Sequence, residues 1–353
     1  MALVSVSNIS LKGVACAVPT ALDRNSDYPF ISKEQKEKLF KVTGIESKRI
    51  VKGNSTTSDL CFSAAEKLLK KIDWKPETVD VLLFVAQTRD YIVPSTAPIL
   101  QHRLGLTTRC IAFDIPLGCS GYVYGLSVAG LFLNGGTCKR ALVLAGDVLS
   151  KYTSFEDRSA YPLFGDAGSA TALEFTSGVE PWHFNLQTDG SEHETIIIPD
   201  GGMRRPFNDH SLKKQEDKNG NNRSSCDVKI NGEKLFEFSL REVGVNILEL
   251  LEYAKKDIND VDKFVLHQAN LIMTETIRKT LRIPEDKTPY SLGKFGNTGT
   301  TSIPLTMITE LASKMQNGEL SLLLSGFGVG LSWGSVVIKT TGVTMVPLIE
   351  LDV

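Results

Sequence analysis

No stretch of this sequence approaches 18 consecutive apolar residues, so a membrane-spanning helix is not expected. Neither sign of charge is in surplus. The 39 Lys and Arg residues stand against 41 Asp and Glu, a formal net charge of −2. That leaves no electrostatic footprint for nucleic acid and no polybasic anchor for a lipid surface. Segment 1–19 is mildly apolar but lacks a basic leader, so it does not read as a signal peptide. Six cysteines are scattered without a C-x-x-C pair or a histidine at ligand spacing, so no zinc site, other metal site or thioredoxin-type centre is expected. Wholesale disorder is excluded as well, because 42% hydrophobic and 23% charged residues are globular values. The 353 residues suffice for roughly two domains and for a core that needs no staples. Most of the cysteines are therefore expected as small buried side chains in a reducing, cytoplasmic setting.

What is present is an alternation. Val79–Ala86, Cys110–Ile115, Arg140–Gly146, Ser169–Phe175, Lys263–Leu266, Leu320–Ser325 and Gly334–Lys339 are short, nearly continuous apolar runs. Such runs predict strands covered on both faces. Between them, Ser58–Lys71, Pro94–Leu104, Ser120–Leu133, Leu240–Ala254, Leu271–Leu281 and Ser302–Lys314 carry helical spacing, with Pro94 and Pro304 placed in first turns. The class is α/β. The chain also looks doubled: VDVLLFVAQT resembles VDKFVLHQAN, and ALVLAGD resembles SLLLSGF, each pair about 180 residues apart. A chance likeness between generic apolar strands is the competing reading. If the doubling holds, the surroundings of Cys119 and of 299–301 occupy equivalent corners of two halves. The polar stretch Ser211–Ser225 has no apolar period and predicts a mobile surface loop.

Four features carry chemistry. Cys119 lies in DIPLGCSGYVYG, between an expected strand and an expected helix, flanked by Gly118 and Gly121. A sulfur at a helix N-terminus has its pKa lowered by the dipole and the free N–H groups, which makes it a nucleophile at neutral pH. A buried cysteine beside helix-packing glycines would leave the same pattern. His267 is the one histidine at the end of an expected strand, where open α/β sheets place ligands, although a strand-end histidine also occurs as plain structure. Asn297, in GKFGNTGTT, puts an amide on a tight turn, and turn asparagines are common without any chemistry. The glycines of Gly326–Gly334 allow a backbone N–H to face a cavity as an oxyanion donor. Singly these are unspecific. Together they suit acyl transfer through a thioester on Cys119.

The motifs GCSG at Cys119, HQAN at His267–Asn270, FGNTG at Asn297 and GFGVGLSWGS, with TGI at Thr43–Ile45 and DRSAYPLFGDAGSA at Asp157–Ala170, carry a further point. Through them the chain resembles the β-ketoacyl-acyl-carrier-protein synthase III branch of the thiolase-fold condensing enzymes over nearly its whole length. The resemblance implies a thiolase-like five-layered α/β/α/β/α fold of two related halves. Residues 1–178 would carry the nucleophile, and 179–353 the His and Asn, with an inserted loop near 204–226. It implies a homodimer and a catalytic set of Cys119, His267 and Asn297. It also implies oxyanion donors from the backbone of Cys119 and Val329, and substrate contacts from Arg158, Asn270, Phe327 and Val93. The implied reaction loads an acyl group onto Cys119 and condenses it with a malonyl thioester, with loss of CO₂, in fatty acid or related acyl or polyketide biosynthesis. The partners would be an acyl carrier protein and the acyl and malonyl thioesters. No cofactor is implied, since coenzyme A or phosphopantetheine thioesters are the substrates.

Departures from the family pattern matter too. Lys38 and Val42 stand where the family carries an adenine-stacking Trp and an Arg, which makes a carrier-bound or unusual acyl donor plausible. The small Val93 would admit a longer or branched chain. Three rivals remain. One is acyl transfer to an alcohol or amine without decarboxylation. Another is a papain-like protease, for which the C-G-S-C-W signature is missing. The third is a non-catalytic partner subunit, against which the presence of all three side chains argues.

Overall fold

The structure is a computed structural model that describes residues 2–353. Two mixed sheets organise it. The first has the order Thr344–Met345, Ile9–Pro19, Ala167–Phe175, Arg140–Asp147, Val81–Val85, Ile111–Ile115, with Ile349–Leu351 also on Ile9–Pro19. The second has the order Ala2–Val6, Trp182–Thr188, Ser332–Thr341, Glu319–Gly328, Lys263–Leu266. The two are built alike. Val81–Val85 pairs parallel with Arg140–Asp147, and Lys263–Leu266 pairs parallel with Glu319–Gly328. In each sheet two antiparallel neighbours follow. These parallel pairs are the segments whose sequences look alike. The chain ends cross over: Ala2–Val6 joins the second sheet, while Thr344–Met345 and Ile349–Leu351 join the first.

Strand alternation turns two sheets into five layers. Val81, Leu83 and Val85 face the same core as Val123, Leu126 and Ala129 of the helix Gly121–Asn134, and beyond that helix lie Val265, Leu322, Leu324 and Val336 of the second sheet. Leu82 and Phe84 point the other way, onto Leu60, Ala64 and Leu68 of the helix Thr57–Lys71 and Leu100 of Thr96–Arg103. On the far side, Phe264, Leu266, Leu323 and Val337 meet Ile247 and Leu250 of Gly244–Tyr253 and Met273 and Ile277 of Leu271–Thr280. Three separate cores thus stack helix, sheet, helix, sheet, helix. Leu126 is buried in the middle layer, where truncation to Ala costs about 2–5 kcal/mol.

Two expectations are corrected. Thr96–Arg103 begins after Pro94, with Ser95 at the N-cap, so Pro94 precedes the helix rather than lying in its first turn. The 211–225 stretch is a pinned flap rather than a free loop. Ser211 is fully buried, Gln215–Glu216 pairs with Asn222–Arg223, and Lys214 reaches Glu156 at 2.6 Å. Arg223 bridges Asp157 and Asp217, both at 2.6 Å. The flap's cations find carboxylates at 156–157, compensation that a local reading of polarity does not register.

Candidate active site

The strand Ile111–Ile115 ends, Gly121 N–H bonds back to the Gly118 carbonyl at 2.6 Å, and the helix Gly121–Asn134 starts with Ser120 at its N-cap. Cys119 therefore sits on a tight strand-to-helix corner. The corner is packed: a Cβ on Gly118 would fall 2.3 Å from the Gln87 carboxamide oxygen. Opposite the sulfur lies Gly328, with φ near +155°, where a Cβ would come within 2.8 Å of Sγ. Only glycine leaves that face of the sulfur open.

The expected lowering of the thiol pKa is not found. Burial pushes Cys119 up to about 12, against the N–H groups of Val329 and of Cys119 itself, and nearby Asp147 adds to the rise. Desolvation of the charged form outweighs the helix N-terminus. The resting group is a thiol, half-buried in the structure. The two N–H groups that oppose the rise are the pair expected as oxyanion donors.

His267 follows the strand Lys263–Leu266 and is held there by its N–H to the Ser325 carbonyl at 2.8 Å. Its Nδ1 lies 2.6 Å from Ser302 Oγ, and its ring stands edge-on to Phe327 with centroids 5.6 Å apart. Burial drives the imidazole down to about 3, so it is neutral at ordinary pH. A hydroxyl either donates or accepts, so Ser302 supports both neutral tautomers. Nε2 is then free to take a proton or to give one.

Asn297 is fixed by its backbone, N–H to the Leu163 carbonyl at 2.8 Å and carbonyl to Gly165 N–H at 3.0 Å. Its Oδ1 accepts the Gly299 N–H at 3.0 Å, which commits the acceptor end of the amide and leaves the two Nδ2 hydrogens as donors.

One cavity of about 670 Å³ brings the three together, lined by Cys119, His267, Asn297, Asn270, Phe327 and Val329. Much of the remaining wall is aliphatic or aromatic, from Leu149, Leu163, Phe164, Ile196, Ile198 and Met273, and Asp200–Gly202, ahead of the flap, and Cys226, directly after it, also line it. Asn270 also caps its helix, its Oδ1 accepting Met273 N–H at 2.9 Å. Arg158 and Val93 are not part of this wall. Arg158 is exposed, with its guanidinium against Gly220 of the flap. Val93 is 82% exposed, next to Tyr91 and Ile92, which do reach the cavity. Ser302, Gln87 and Asp147 went unnoticed in the sequence. Asp147 left a signal, a charged residue closing the wholly apolar run ALVLAG. Among the described residues no group of three or more His, Cys, Asp or Glu side chains is placed to hold a metal ion, and no helix is long and apolar enough to cross a membrane.

Comparison with known proteins points the same way. The family described as 3-oxoacyl-[acyl-carrier-protein] synthase III matches residues 113–190, and its C-terminal counterpart matches 251–340. A curated β-ketoacyl-[acyl-carrier-protein] synthase III from Streptococcus uberis is 33% identical over 325 residues, 91% of this chain and 96% of that protein. A putative 3-oxoacyl-[acyl-carrier-protein] synthase 3 from Campylobacter jejuni is 35% identical over 308 residues, 86% of this chain and 84% of that one. The crystal structure of a 3-oxoacyl-(acyl-carrier protein) synthase from Burkholderia xenovorans superposes with a TM-score of 0.93 at 34% identity, covering 99% of both chains.

Proposed function

The chain belongs to the 3-oxoacyl-acyl-carrier-protein synthase III family and has its thiolase-like fold, and from that premise we propose how its own residues carry a decarboxylative condensation. Cys119, His267 and Asn297 are the catalytic residues. The observation that supports this best is their meeting in one cavity, as a thiol, a neutral imidazole and an amide whose acceptor end is already occupied.

In the first step Cys119 Sγ attacks the acyl thioester carbon. The Sγ–C bond forms, the bond to the carrier sulfur breaks, and the thiol proton passes through His267 Nε2 to the departing thiolate. The N–H groups of Cys119 and Val329 receive the oxyanion. With the thiol near 12 and the imidazole near 3, proton loss is concerted with attack rather than stored in a resting ion pair. In the second step a malonyl thioester enters and its C–C bond to the carboxylate breaks. CO₂ leaves, and the electron pair moves into the thioester carbonyl. His267 Nε2–H, now the donor tautomer, and Asn297 Nδ2 hold the enolate oxygen. The carbanion attacks acyl-Cys119, the C–S bond breaks, and the Sγ thiolate takes a proton from solvent, the one proton that loss of CO₂ consumes overall.

This chemistry needs neither metal nor redox cofactor. The thioesters arrive on coenzyme A or on the phosphopantetheine of an acyl carrier protein. Phe327 and Asn270 contact the arm inside the cavity, and Arg158 meets the donor outside it. Two copies assemble with Tyr91, Ile92 and Val93 at the contact, since three consecutive exposed apolar side chains at a cavity rim need cover. The test is intact-mass spectrometry against a panel of acyl-coenzyme A and acyl-carrier thioesters, followed by release of labelled CO₂ from a malonyl thioester. An adduct on Cys119 together with CO₂ release is expected. An adduct without CO₂ release, in the presence of an alcohol or amine acceptor, would favour the non-decarboxylating rival and overturn the second step.

A further inference from the structure

The apolar strand Arg140–Asp147 ends in a fully buried carboxylate that the mechanism above does not use. No Lys, Arg or His lies within ion-pair distance of it among the described residues. Its partners are five donors from two separate segments. Oδ1 accepts the Gln87 N–H at 2.9 Å, the Thr88 N–H at 3.3 Å and the Thr88 hydroxyl at 3.1 Å. Oδ2 accepts the Thr300 N–H at 3.1 Å and the Thr300 hydroxyl at 2.6 Å. Three of the five are N–H groups, which can only donate, so both oxygens are committed as acceptors. Between the two segments sits the corner of Cys119. The Gln87 side chain packs on Gly118, and Thr300 Oγ1 lies 3.3 Å from the Gly118 carbonyl. Gly299, with φ +55°, has no room for a side chain, because a Cβ would stand 2.6 Å from Asp147 Oδ2.

We infer that Asp147 is a positioning residue that sets the Asn297–Thr300 turn, and with it the Asn297 amide, against the nucleophile corner. It acts across the junction of the two halves, from the strand end of the first onto a turn of the second. The arrangement has an opposing effect, because a buried carboxylate close to Cys119 disfavours the thiolate. A group kept there against that effect aids the step that needs Asn297, not the step that needs the sulfur anion. The other ionisable groups that line the same cavity are His267, which is neutral, and Arg89, Asp90, Tyr91, Tyr152, Asp200 and Cys226.

The inference rests on the proposed division of labour between Cys119 and Asn297, and its test reads the two halves of the reaction separately. In Asp147→Asn the shape is kept, but an NH₂ group now faces donors. Alkylation of Cys119 by iodoacetamide, followed by mass spectrometry across pH, is expected to shift toward lower pH, so that the rate at neutral pH rises. Release of labelled CO₂ from malonyl thioester is expected to fall by about 10- to 100-fold, the size of an effect of misplaced catalytic groups. A merely structural role would lower both together, and that result would overturn the inference, as would unchanged CO₂ release. Thr300→Val removes one arm and keeps the charge. It is expected to lower CO₂ release with the alkylation profile unmoved, which keeps the question decidable if Asp147→Asn fails to fold. If the unaltered enzyme releases no CO₂, the fault lies with the condensation itself, and the alkylation shift still reports on Asp147.

Discussion

Two strand ends meet in the cavity, and burial acts on them in opposite directions. At the Cys119 corner desolvation raises a thiol, and the nearby Asp147 raises it further. At the His267 end desolvation alone lowers an imidazole whose neighbours are a hydroxyl and a phenyl ring. The outcome is the same, since both groups rest uncharged. The difference lies in their surroundings, an anion beside one and neutral groups beside the other. It teaches that this site does not hold a ready thiolate–imidazolium pair. In the proposed mechanism reactivity comes instead from fixed donors placed where charge develops during each step, a form of electrostatic preorganisation.

The sharpest way to break the comparison is to remove one end. Cys119→Ala is expected to abolish the acyl adduct seen by intact mass, and an adduct that survives would move the nucleophile elsewhere. Next in size is Asn297→Ala, which is expected to leave acylation intact and to lower CO₂ release from malonyl thioester by about 10²- to 10³-fold, the usual effect of losing one oxyanion donor. Equal loss of both steps would mean that the donors are shared and the two ends are not distinct in role. Smaller again is the response to pH. A thiol held near 12 contributes thiolate in proportion to hydroxide, so alkylation of Cys119 in the unaltered chain is expected to climb about tenfold per pH unit from 7 to 10. A plateau below pH 8 would show that the corner does lower the thiol after all.

The pattern of legibility follows from the range of each interaction. Strands such as Val81–Val85 and Lys263–Leu266 were visible because they are buried on both faces, which makes them continuous apolar words. Ile9–Pro19 and Trp182–Thr188 are as central to their sheets, yet Ser10, Lys12 and Gly13 interrupt the one, and His183, Asn185 and Gln187 the other. Polar side chains there find partners far along the chain: the Asn185 NH₂, for instance, donates to the Asn246 carbonyl and to the Glu249 carboxylate. Cys119, His267 and Asn297 were legible as residue types at strand ends and glycine turns. Their electrostatics were not. The sign of the Cys119 shift depends on how deeply the corner is buried between two sheets, and no local motif records that. Ser302, Gln87 and Asp147 escaped for the same reason: each matters only through a partner from another part of the chain.

The smallest effect tests the imidazole end through stability. Free in an unfolded chain, His267 would titrate near its ordinary value of about 6.5, whereas in the fold it is held near 3. Below about 6.5 the unfolded state therefore binds a proton that the folded state refuses, and stability falls as pH drops toward 3. Between pH 7 and 5 that single group removes about 2 kcal/mol. His267→Asn lacks the titration, so the difference in unfolding free energy between pH 7 and pH 5, taken from urea curves, is expected to be smaller than in the unaltered chain by that amount. Other groups contribute equally to both proteins and cancel in the subtraction. An unchanged pH slope would mean that His267 takes up its proton in the folded state near its ordinary pKa. The imidazole end would then be a charged partner to the thiol, and the contrast between the two strand ends would fail.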